Sequence, residues 1–246
     1  MSSPFPPELR HDRALISDCD GVLVDSEAIA ERIVIERLES LWQISGVDDV
    51  IRPLIGMRTA VVLRKAAEAF GRHLDDAEIQ SIREAIRSRA VDAPEIPGAR
   101  EAYLSIALRQ ACASNSDFDY VERVVGRLGL DRAFGERLWT ADRVEQPKPA
   151  PDVYLAAAQA LQVAPAGCAV VEDSVTGARA ALAAGMTVLG FVGSAHEPQA
   201  RREALHAIGV HVTFDTMHAL PDVVARWLDG EFGVGIGVVA HETSQA

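Results

Sequence analysis

The sequence is poor in lysine, in cysteine and in long apolar runs. Of its 24 lysines and arginines, only Lys65 and Lys148 are lysines. The three cysteines show no CxxC spacing and lie in or next to strand-like segments, which indicates free thiols in a reducing compartment. No apolar run approaches the roughly 20 residues that a membrane-spanning helix needs, and residues 2–7 lack the apolar core of a signal peptide. We therefore expect a cytoplasmic protein that does not enter a membrane.

Positive charge is scarce as well. The 246 residues include 36 acidic and 24 basic side chains, which gives a formal net charge of −12. An acidic protein is repelled at long range by nucleic acids and by anionic membranes, so we expect neither as a partner. A small substrate bridged by a metal ion is compatible with this charge, and so is either a monomer or a small homo-oligomer.

Apolar, strand-like segments alternate with helix-like segments over much of the chain. The strand-like segments are residues 14–16, 109–113, 138–140, 169–171, 188–192 and 210–214. Helix-like segments with apolar residues at three- and four-residue spacing separate them, notably residues 152–161 and 175–184. Such alternation predicts an α/β fold with a doubly wound parallel sheet.

The pattern changes between residues 26 and 96, where strand signals are few. Three helix-like runs follow one another there, at residues 28–41, 59–70 and 76–89. Prolines and a glycine at residues 94–98 mark the return of the chain. The sequence therefore predicts a core domain of residues 1–25 and 97–246 with an inserted all-helical domain of residues 26–96.

Three polar fragments stand near the ends of predicted strands. They are Asp18-Cys19-Asp20, Pro147-Lys148-Pro149 and Glu172-Asp173-Ser174. Loops that leave the carboxyl ends of parallel strands share one crevice, so we expect these fragments to converge. Two carboxylates held close together need a cation between them or unequal pKa values. The convergence predicts one site that binds a metal ion and handles phosphate.

Each fragment also has a simpler interpretation. Taken alone, Asp18 and Asp20 could be turn or N-cap residues, and Glu172 with Asp173 could complement the dipole of the next helix. A lysine is usually a solvated surface residue. Lys148, however, lies between two prolines in a chain that otherwise uses arginine, which indicates a role that needs a compact ammonium group.

Together these motifs carry a resemblance to a known family. Residues 18–27 (DCDGVLVDSE) resemble the first motif of the haloacid-dehalogenase-like hydrolase superfamily, and residues 113–116 (ASNS) resemble its second. Lys148 and residues 171–174 (VEDS) resemble the third and the fourth. The resemblance covers about residues 13–195 and implies a Rossmann-type core. The helical insert is similar to the cap of the branch that contains β-phosphoglucomutases and sugar-phosphate phosphatases.

The resemblance implies a Mg²⁺-dependent phosphatase that acts through an aspartyl-phosphate on a small phosphorylated metabolite. That metabolite would be a sugar, sugar-acid or polyol phosphate, for example 6-phosphogluconate. Asp18 would be the nucleophile and a metal ligand. Asp20 would protonate the leaving alcohol and then deprotonate the attacking water, and its backbone carbonyl would ligate the metal. Asp173 would ligate Mg²⁺ directly, and Glu172 would be either a ligand or the partner of a metal-bound water.

The resemblance also assigns groups to the phosphate and to the rest of the substrate. Ser114 and the backbone NH of Asn115 would hold phosphate oxygens, and Lys148 would neutralise the nucleophile and the transferring group. The segment GMRT in the insert resembles a cap loop that offers an arginine to the far end of a phosphorylated sugar, so its Arg58 is the candidate substrate reader. Further candidates are Glu27 and the arginines of a basic face, Arg83, Arg87 and Arg89.

Other activities are the alternatives. A mutase of the β-phosphoglucomutase type typically carries a histidine early in the cap, where this chain has Ala30, and a lysine later, where it has only arginines. Water is then the favoured phosphoryl acceptor, and the mutase is the runner-up. A phosphonatase would need a cap lysine near the crevice, and only Lys65 is available. A haloacid dehalogenase lacks the aspartate at the position of Asp20, and a non-catalytic binding protein would be expected to have lost at least one motif.

Overall fold

The computed structural model describes residues 11–54 and 59–232, and a six-stranded sheet forms its centre. The strands are β1 (Ala14–Ser17), β2 (Arg109–Ser114), β3 (Leu138–Thr140), β4 (Cys168–Glu172), β5 (Thr187–Phe191) and β6 (Val212–Phe214). They lie in the order β3-β2-β1-β4-β5-β6, and every neighbouring pair is parallel. The predicted doubly wound α/β fold is thereby confirmed.

Helices cover both faces of this sheet. In the described ranges they are α1 (Ser26–Trp42), α2 (Asp48–Ile51), α3 (Thr59–Ala69), α4 (Asp76–Arg89), α5 (Ala99–Ser105), α6 (Phe118–Leu128), α7 (Asp131–Phe134), α8 (Asp152–Leu161), α9 (Val175–Ala183), α10 (Pro198–His206) and α11 (Leu220–Leu228). Leu15 of β1 belongs to one buried cluster, whereas Ala14 and Ile16 belong to another. Strands that are buried on both faces appear in the sequence as continuous apolar runs, which explains why so short a strand can be predicted.

One strand begins later than predicted. The sequence favours a strand from residue 210, but β6 begins at Val212. The backbone NH of Val210 donates to the carbonyl of Leu205 in α10 across 3.1 Å, and Gly209 between them has a φ of +95°. Val210 is therefore used to close the end of the helix, as in other helix C-caps with a left-handed glycine.

The segment between β1 and β2 is helical, as predicted, and has an apolar cluster of its own. Val34 and Leu38 on α1 belong to this cluster together with Leu63 on α3. Ile29 and Ile33, nearer the start of α1, instead join the cluster that lies on one face of the sheet. The first turns of α1 thus attach the helical segment to the core. Division of the chain into two domains at the predicted boundaries stays a prediction.

Two features of the composition reappear in the structure. All three cysteines are buried and free. Within the described residues, no helix is both long enough and apolar enough to cross a bilayer. A cytoplasmic location and the oligomeric state stay predictions.

Candidate active site

The predicted site residues leave three neighbouring strands at one edge of the sheet. Asp18 directly follows β1, Ser114 ends β2 and Glu172 ends β4. The backbone NH of Asp18 donates to the carbonyl of Val171 in β4 across 3.0 Å, which holds the end of β1 against β4. The direction of winding reverses between β1 and β4, and ligands of open α/β sheets bind at such a switch point.

The ammonium group of Lys148 joins two of these strand ends. Its Nζ donates to Oδ1 of Asp18 (2.8 Å) and to Oε1 of Glu172 (2.7 Å). It also donates to the carbonyl oxygen of Ala113 (3.0 Å), so all three donors of the ammonium group are used. Lys148 is only 7 % exposed, and this excludes its interpretation as a solvated surface lysine.

Asn115 holds the loop that carries Lys148. Its side-chain Oδ1 accepts from the backbone NH of Lys148 (2.8 Å), and its Nδ2 donates to the carbonyl of the same residue (3.0 Å). The hydroxyl of the buried Ser114 accepts from the backbone NH of Ser116 (3.0 Å). Asn115 thus contacts the loop of Lys148, and Ser114 directly follows the residue whose carbonyl accepts from Lys148. The assignment of both residues to phosphate oxygens stays a prediction.

The carboxylate of Glu172 is fully occupied by hydrogen-bond donors. Its Oε1 accepts from Tyr154 (2.8 Å) in addition to Lys148, and its Oε2 accepts from the backbone NH (3.0 Å) and the hydroxyl (2.9 Å) of Ser174. A carboxylate offers about four acceptor directions, and four donors fill them here. Direct metal ligation by Glu172 would have to displace one of these donors.

The pKa values of three carboxyl groups at this edge, those of Asp18, Asp173 and Glu172, are shifted. Burial, together with the charges of Glu172 and Asp20, raises the pKa of Asp18 to about 7 despite the nearby Lys148. Burial and the charges of Glu172 and Asp18 also raise the pKa of Asp173 well above its usual value. Burial by itself would raise the pKa of Glu172, but contact with Lys148 outweighs burial and lowers this pKa. Burial by itself would lower the pKa of Lys148. The charges of Asp18 and Glu172 outweigh this effect and raise the pKa, so the ammonium group stays charged.

The excess negative charge fits a metal ion. Asp18, Glu172 and Asp173 can each place one carboxylate oxygen within 4.8 Å of the others. An all-oxygen donor set is the kind that Mg²⁺ prefers, and a cation would offset the burial and the mutual repulsion that raise the pKa values of Asp18 and Asp173. The residues present therefore fit the ion that the sequence predicts.

Asp173 lies against the loop that follows β1. Gly21 in this loop has a φ of +76°, and a Cβ atom there would lie 2.3 Å from Oδ2 of Asp173, so glycine is required for this close approach. Nη1 of Arg201, on α10, donates to the backbone carbonyl of Asp173 (2.6 Å) and lies 3.3 Å from its Oδ2. Nη2 of Arg201 lies 4.0 Å from Oε1 of Glu27, which places Glu27 beside the acidic cluster.

Asp20 lies apart from the Lys148 network and is held by hydroxyl groups. The hydroxyl of Ser116 donates to its Oδ2 (2.6 Å), and the hydroxyl of Tyr120 donates to its Oδ1 (2.7 Å). Burial and the charge of Asp20 raise the pKa of Tyr120, so the phenol keeps its proton and remains a donor.

A cleft with a volume of about 510 Å³ opens beside Asp20. Its walls come from the first turns of α1, from α3, from the end of α4 and from the loop after β2. Glu27 and Arg87, both predicted substrate readers, line the same space as Asp20 and Asn115. Arg58 lies outside the described residues, and its role stays a prediction.

Sequence reasoning missed four residues that contact the site, namely Ser116, Tyr120, Tyr154 and Arg201. The sequence does contain a signal that could have pointed to the tyrosines, because the chain has only three of them. Each places its hydroxyl in this network: Tyr103 accepts from Ser17 beside Asp18, Tyr120 donates to Asp20, and Tyr154 donates to Glu172. Arg201 carries no comparable signal in a chain that is rich in arginine.

Known proteins of similar sequence indicate the family of this chain. The haloacid dehalogenase-like hydrolase family matches residues 13–185. The chain is 32% identical over 200 residues to hexitol phosphatase B of Escherichia coli (strain K12), covering 76% of this chain and 84% of the relative. It is 27% identical over 185 residues to the 6-phosphogluconate phosphatase of the same organism, covering 74% and 84%.

A solved structure is similar over most of the chain. The HAD family hydrolase from Deinococcus radiodurans R1, with bound phosphate and sodium, has a TM-score of 0.74 and 27% identity, covering 89% of this chain and 96% of that one. The prediction of an enzyme, a hydrolase of the phosphatase type, is confirmed by the family match and by these relatives. With its four motifs gathered at one edge of the sheet, the chain belongs to the haloacid dehalogenase-like hydrolase family.

Proposed function

We propose that this protein is a Mg²⁺-dependent phosphatase that hydrolyses a small phosphorylated sugar, sugar acid or polyol. The observation that carries the proposal is the buried contact of Lys148 with Asp18 and Glu172 at the switch point of the sheet. This contact sets a fixed cation beside a carboxylate that can act as nucleophile. The named activities of the hexitol and 6-phosphogluconate phosphatases, and the phosphate bound in the Deinococcus structure, support this substrate class.

The first step transfers the phosphoryl group to Asp18. A phosphate monoester is a dianion at neutral pH, so a carboxylate can attack it only where positive charge and hydrogen-bond donors offset the repulsion. Lys148 supplies such a charge, and Ser114 and Asn115 supply donors. The bond from Asp18 to phosphorus forms as the bond from phosphorus to the substrate oxygen breaks. Asp20 gives its proton to the departing oxygen, and the alcohol leaves.

The second step returns the enzyme to its starting state. Asp20, now a carboxylate, takes a proton from a water molecule as the oxygen of that water bonds to phosphorus. The bond between phosphorus and Asp18 breaks in the same step. Inorganic phosphate is released, Asp18 is again a carboxylate, and Asp20 again carries a proton.

The carboxylates of Asp18 and Asp173 and the backbone carbonyl of Asp20 would hold Mg²⁺. When bound, the ion supplies positive charge that neutralises the phosphate oxygens. Because four donors occupy the carboxylate of Glu172, its proposed contribution is to hold Lys148 in place.

Water is the proposed phosphoryl acceptor in preference to a sugar hydroxyl. Ala30 lines the cleft, so the position at which the mutase branch carries a histidine presents only a methyl group. A methyl group neither moves a proton nor holds a sugar hydroxyl. This supports the phosphatase over the mutase.

Release of phosphate from a panel of sugar, sugar-acid and polyol phosphates tests the proposal, with Mg²⁺ and with excess chelator. We expect Asp18→Asn to abolish phosphoryl transfer. Asp20→Asn should form the phosphorylated protein slowly and then accumulate it, because the attacking water is no longer deprotonated. Full activity in excess chelator would contradict the metal dependence, and mass spectrometry that placed the phosphate on a residue other than Asp18 would contradict the mechanism.

A further inference from the structure

Both carboxylate oxygens of Asp20 are held by hydroxyl groups from a distant part of the chain. Ser116 donates to Oδ2 across 2.6 Å, and Tyr120 donates to Oδ1 across 2.7 Å. Ser116 belongs to the loop after β2, and Tyr120 lies in the first turn of α6. All three residues line the cleft.

Two donors restrict Asp20 more than one donor can. The terminal torsion of an aspartate is broad and poorly fixed by its own geometry, so a carboxylate bonded at one oxygen can still turn. Bonds to both oxygens fix the plane of the group. Each oxygen has two acceptor directions, so one direction on each stays open for the proton that Asp20 transfers.

The two donors are themselves anchored. The backbone NH of Ser116 donates to the hydroxyl of Ser114 (3.0 Å), and the backbone NH of Tyr120 donates to the carbonyl of Asp117 (3.2 Å). Ser114 ends β2, next to β1, from which Asp20 follows. Ser116 thus connects Asp20 to β2, and Tyr120 connects it to the start of α6.

We propose that Tyr120, together with Ser116, is a positioning residue that aims the carboxyl group of Asp20 at the oxygen of the leaving alcohol. This inference rests on the proposed function, because it requires Asp20 to be the proton donor. A misplacement of about 1 Å at a reacting group can cost about 100-fold in rate. The loss depends on the leaving group, since an alkoxide needs a proton as it departs and a nitrophenolate does not.

Single-turnover formation of the aspartyl-phosphate with two substrates tests this role. One substrate is β-glycerophosphate, an alkyl ester, and the other is p-nitrophenyl phosphate, an aryl ester. We expect Tyr120→Phe to slow phosphoryl transfer from β-glycerophosphate by about 10- to 100-fold, a partial loss of the roughly 100- to 10,000-fold that general acid catalysis supplies. The burst of nitrophenolate should change by less than about twofold, since its departure needs no proton.

Two further variants separate positioning from support of the fold. Ser116→Ala removes the other donor and should show the same leaving-group dependence, so the inference remains testable if Tyr120→Phe does not fold. Tyr154→Phe is the matched tyrosine variant, because its hydroxyl contacts Glu172 and not Asp20. We expect it to slow transfer from both substrates by the same factor.

The outcomes are distinguishable. If Tyr120→Phe slows both substrates equally, or slows neither, Tyr120 does not position the acid and the inference is wrong while the phosphatase stands. If the wild-type protein transfers no phosphoryl group from either ester or from any member of the panel of sugar, sugar-acid and polyol phosphates, the proposed function is wrong, and the role of Tyr120 that depends on it is wrong as well.

Discussion

The ammonium nitrogen of Lys148 lies 2.8 Å from Oδ1 of Asp18, although 130 positions separate the two residues in the chain. The contact is buried, and its other partners, Glu172 and the carbonyl of Ala113, leave the ammonium group no donor for solvent. A guanidinium group is planar and extends further, so it cannot make three convergent bonds in this space. The site thus explains a lysine in a chain that otherwise uses arginine.

Replacing Lys148 should therefore greatly lower the activity, even when the positive charge is kept. We expect Lys148→Arg to lower kcat/KM at least about 100-fold, because the cation no longer fits between the two carboxylates. Lys148→Met leaves both carboxylates buried without a cation and should cost about 3–5 kcal/mol of unfolding free energy. The control is Lys65→Arg on the exposed face of α3, which should change neither quantity. Near wild-type activity of Lys148→Arg would contradict the assigned role.

The free energy of unfolding should depend on pH because the pKa values of Asp18 and Asp173 are raised in the folded protein. In the folded protein without metal the pKa of Asp18 is raised from 3.8 to about 7. Its contribution to stability is therefore fully present below pH 3.8 and is lost as the pH rises through 7, with a slope of about 1.4 kcal/mol per pH unit for this proton. The raised pKa of Asp173 acts in the same direction.

Magnesium should counter this loss. At pH 8 the ion meets an Asp18 carboxylate that is already charged, whereas at pH 5 it must displace the proton of Asp18. We expect Mg²⁺ to raise the melting temperature more at pH 8 than at pH 5, measured in chelator-treated buffer with sodium chloride added to equal ionic strength. Asp173→Asn should remove most of the difference. An equal rise at both pH values would show that the ion binds elsewhere.

Much of the fold follows from short-range patterns. β1 and β4 can be predicted because parallel strands buried on both faces are continuous apolar runs. α4 begins at Asp76, as predicted, and Asp75 and Glu78 form a capping box at this start. The meeting of Asp18 and Lys148 follows from the rule that loops at the carboxyl ends of parallel strands share a crevice.

The hydroxyl donors around the site could not be predicted in this way. Tyr120 and Asp20 are 100 positions apart in the chain. Their contact depends on how α6 packs beside the end of β1, and no local sequence pattern predicts this packing. The sequence left the role of Glu172 open for the same reason. Only the packing of α8 against the sheet brings Tyr154 to Glu172 and fills its last acceptor direction.

The identity of the acceptor separates the phosphatase from the mutase. Because Ala30 replaces a histidine of the mutase branch and lines the cleft, we expect β-glucose 1-phosphate with a sugar bisphosphate to yield inorganic phosphate, if it reacts. Glucose 6-phosphate should not form at a comparable rate, as measured by a coupled dehydrogenase assay. Glucose 6-phosphate as the main product would overturn the phosphatase in favour of the mutase.

Gly177 in the first turn of α9 should be indispensable because of Glu172. A Cβ atom there would lie 1.5 Å from Oε1 of Glu172, the oxygen that accepts from Lys148 and Tyr154. Gly177→Ala must displace this carboxylate, and we expect a loss of about 1–3 kcal/mol in unfolding free energy and of at least about 100-fold in phosphate release. Gly126 in α6 is the matched control, since a Cβ atom there meets nothing within 4 Å. Gly126→Ala should gain about 0.5–1 kcal/mol with unchanged turnover. Equal turnover of the two variants would show that Lys148 does not depend on Glu172 for its position.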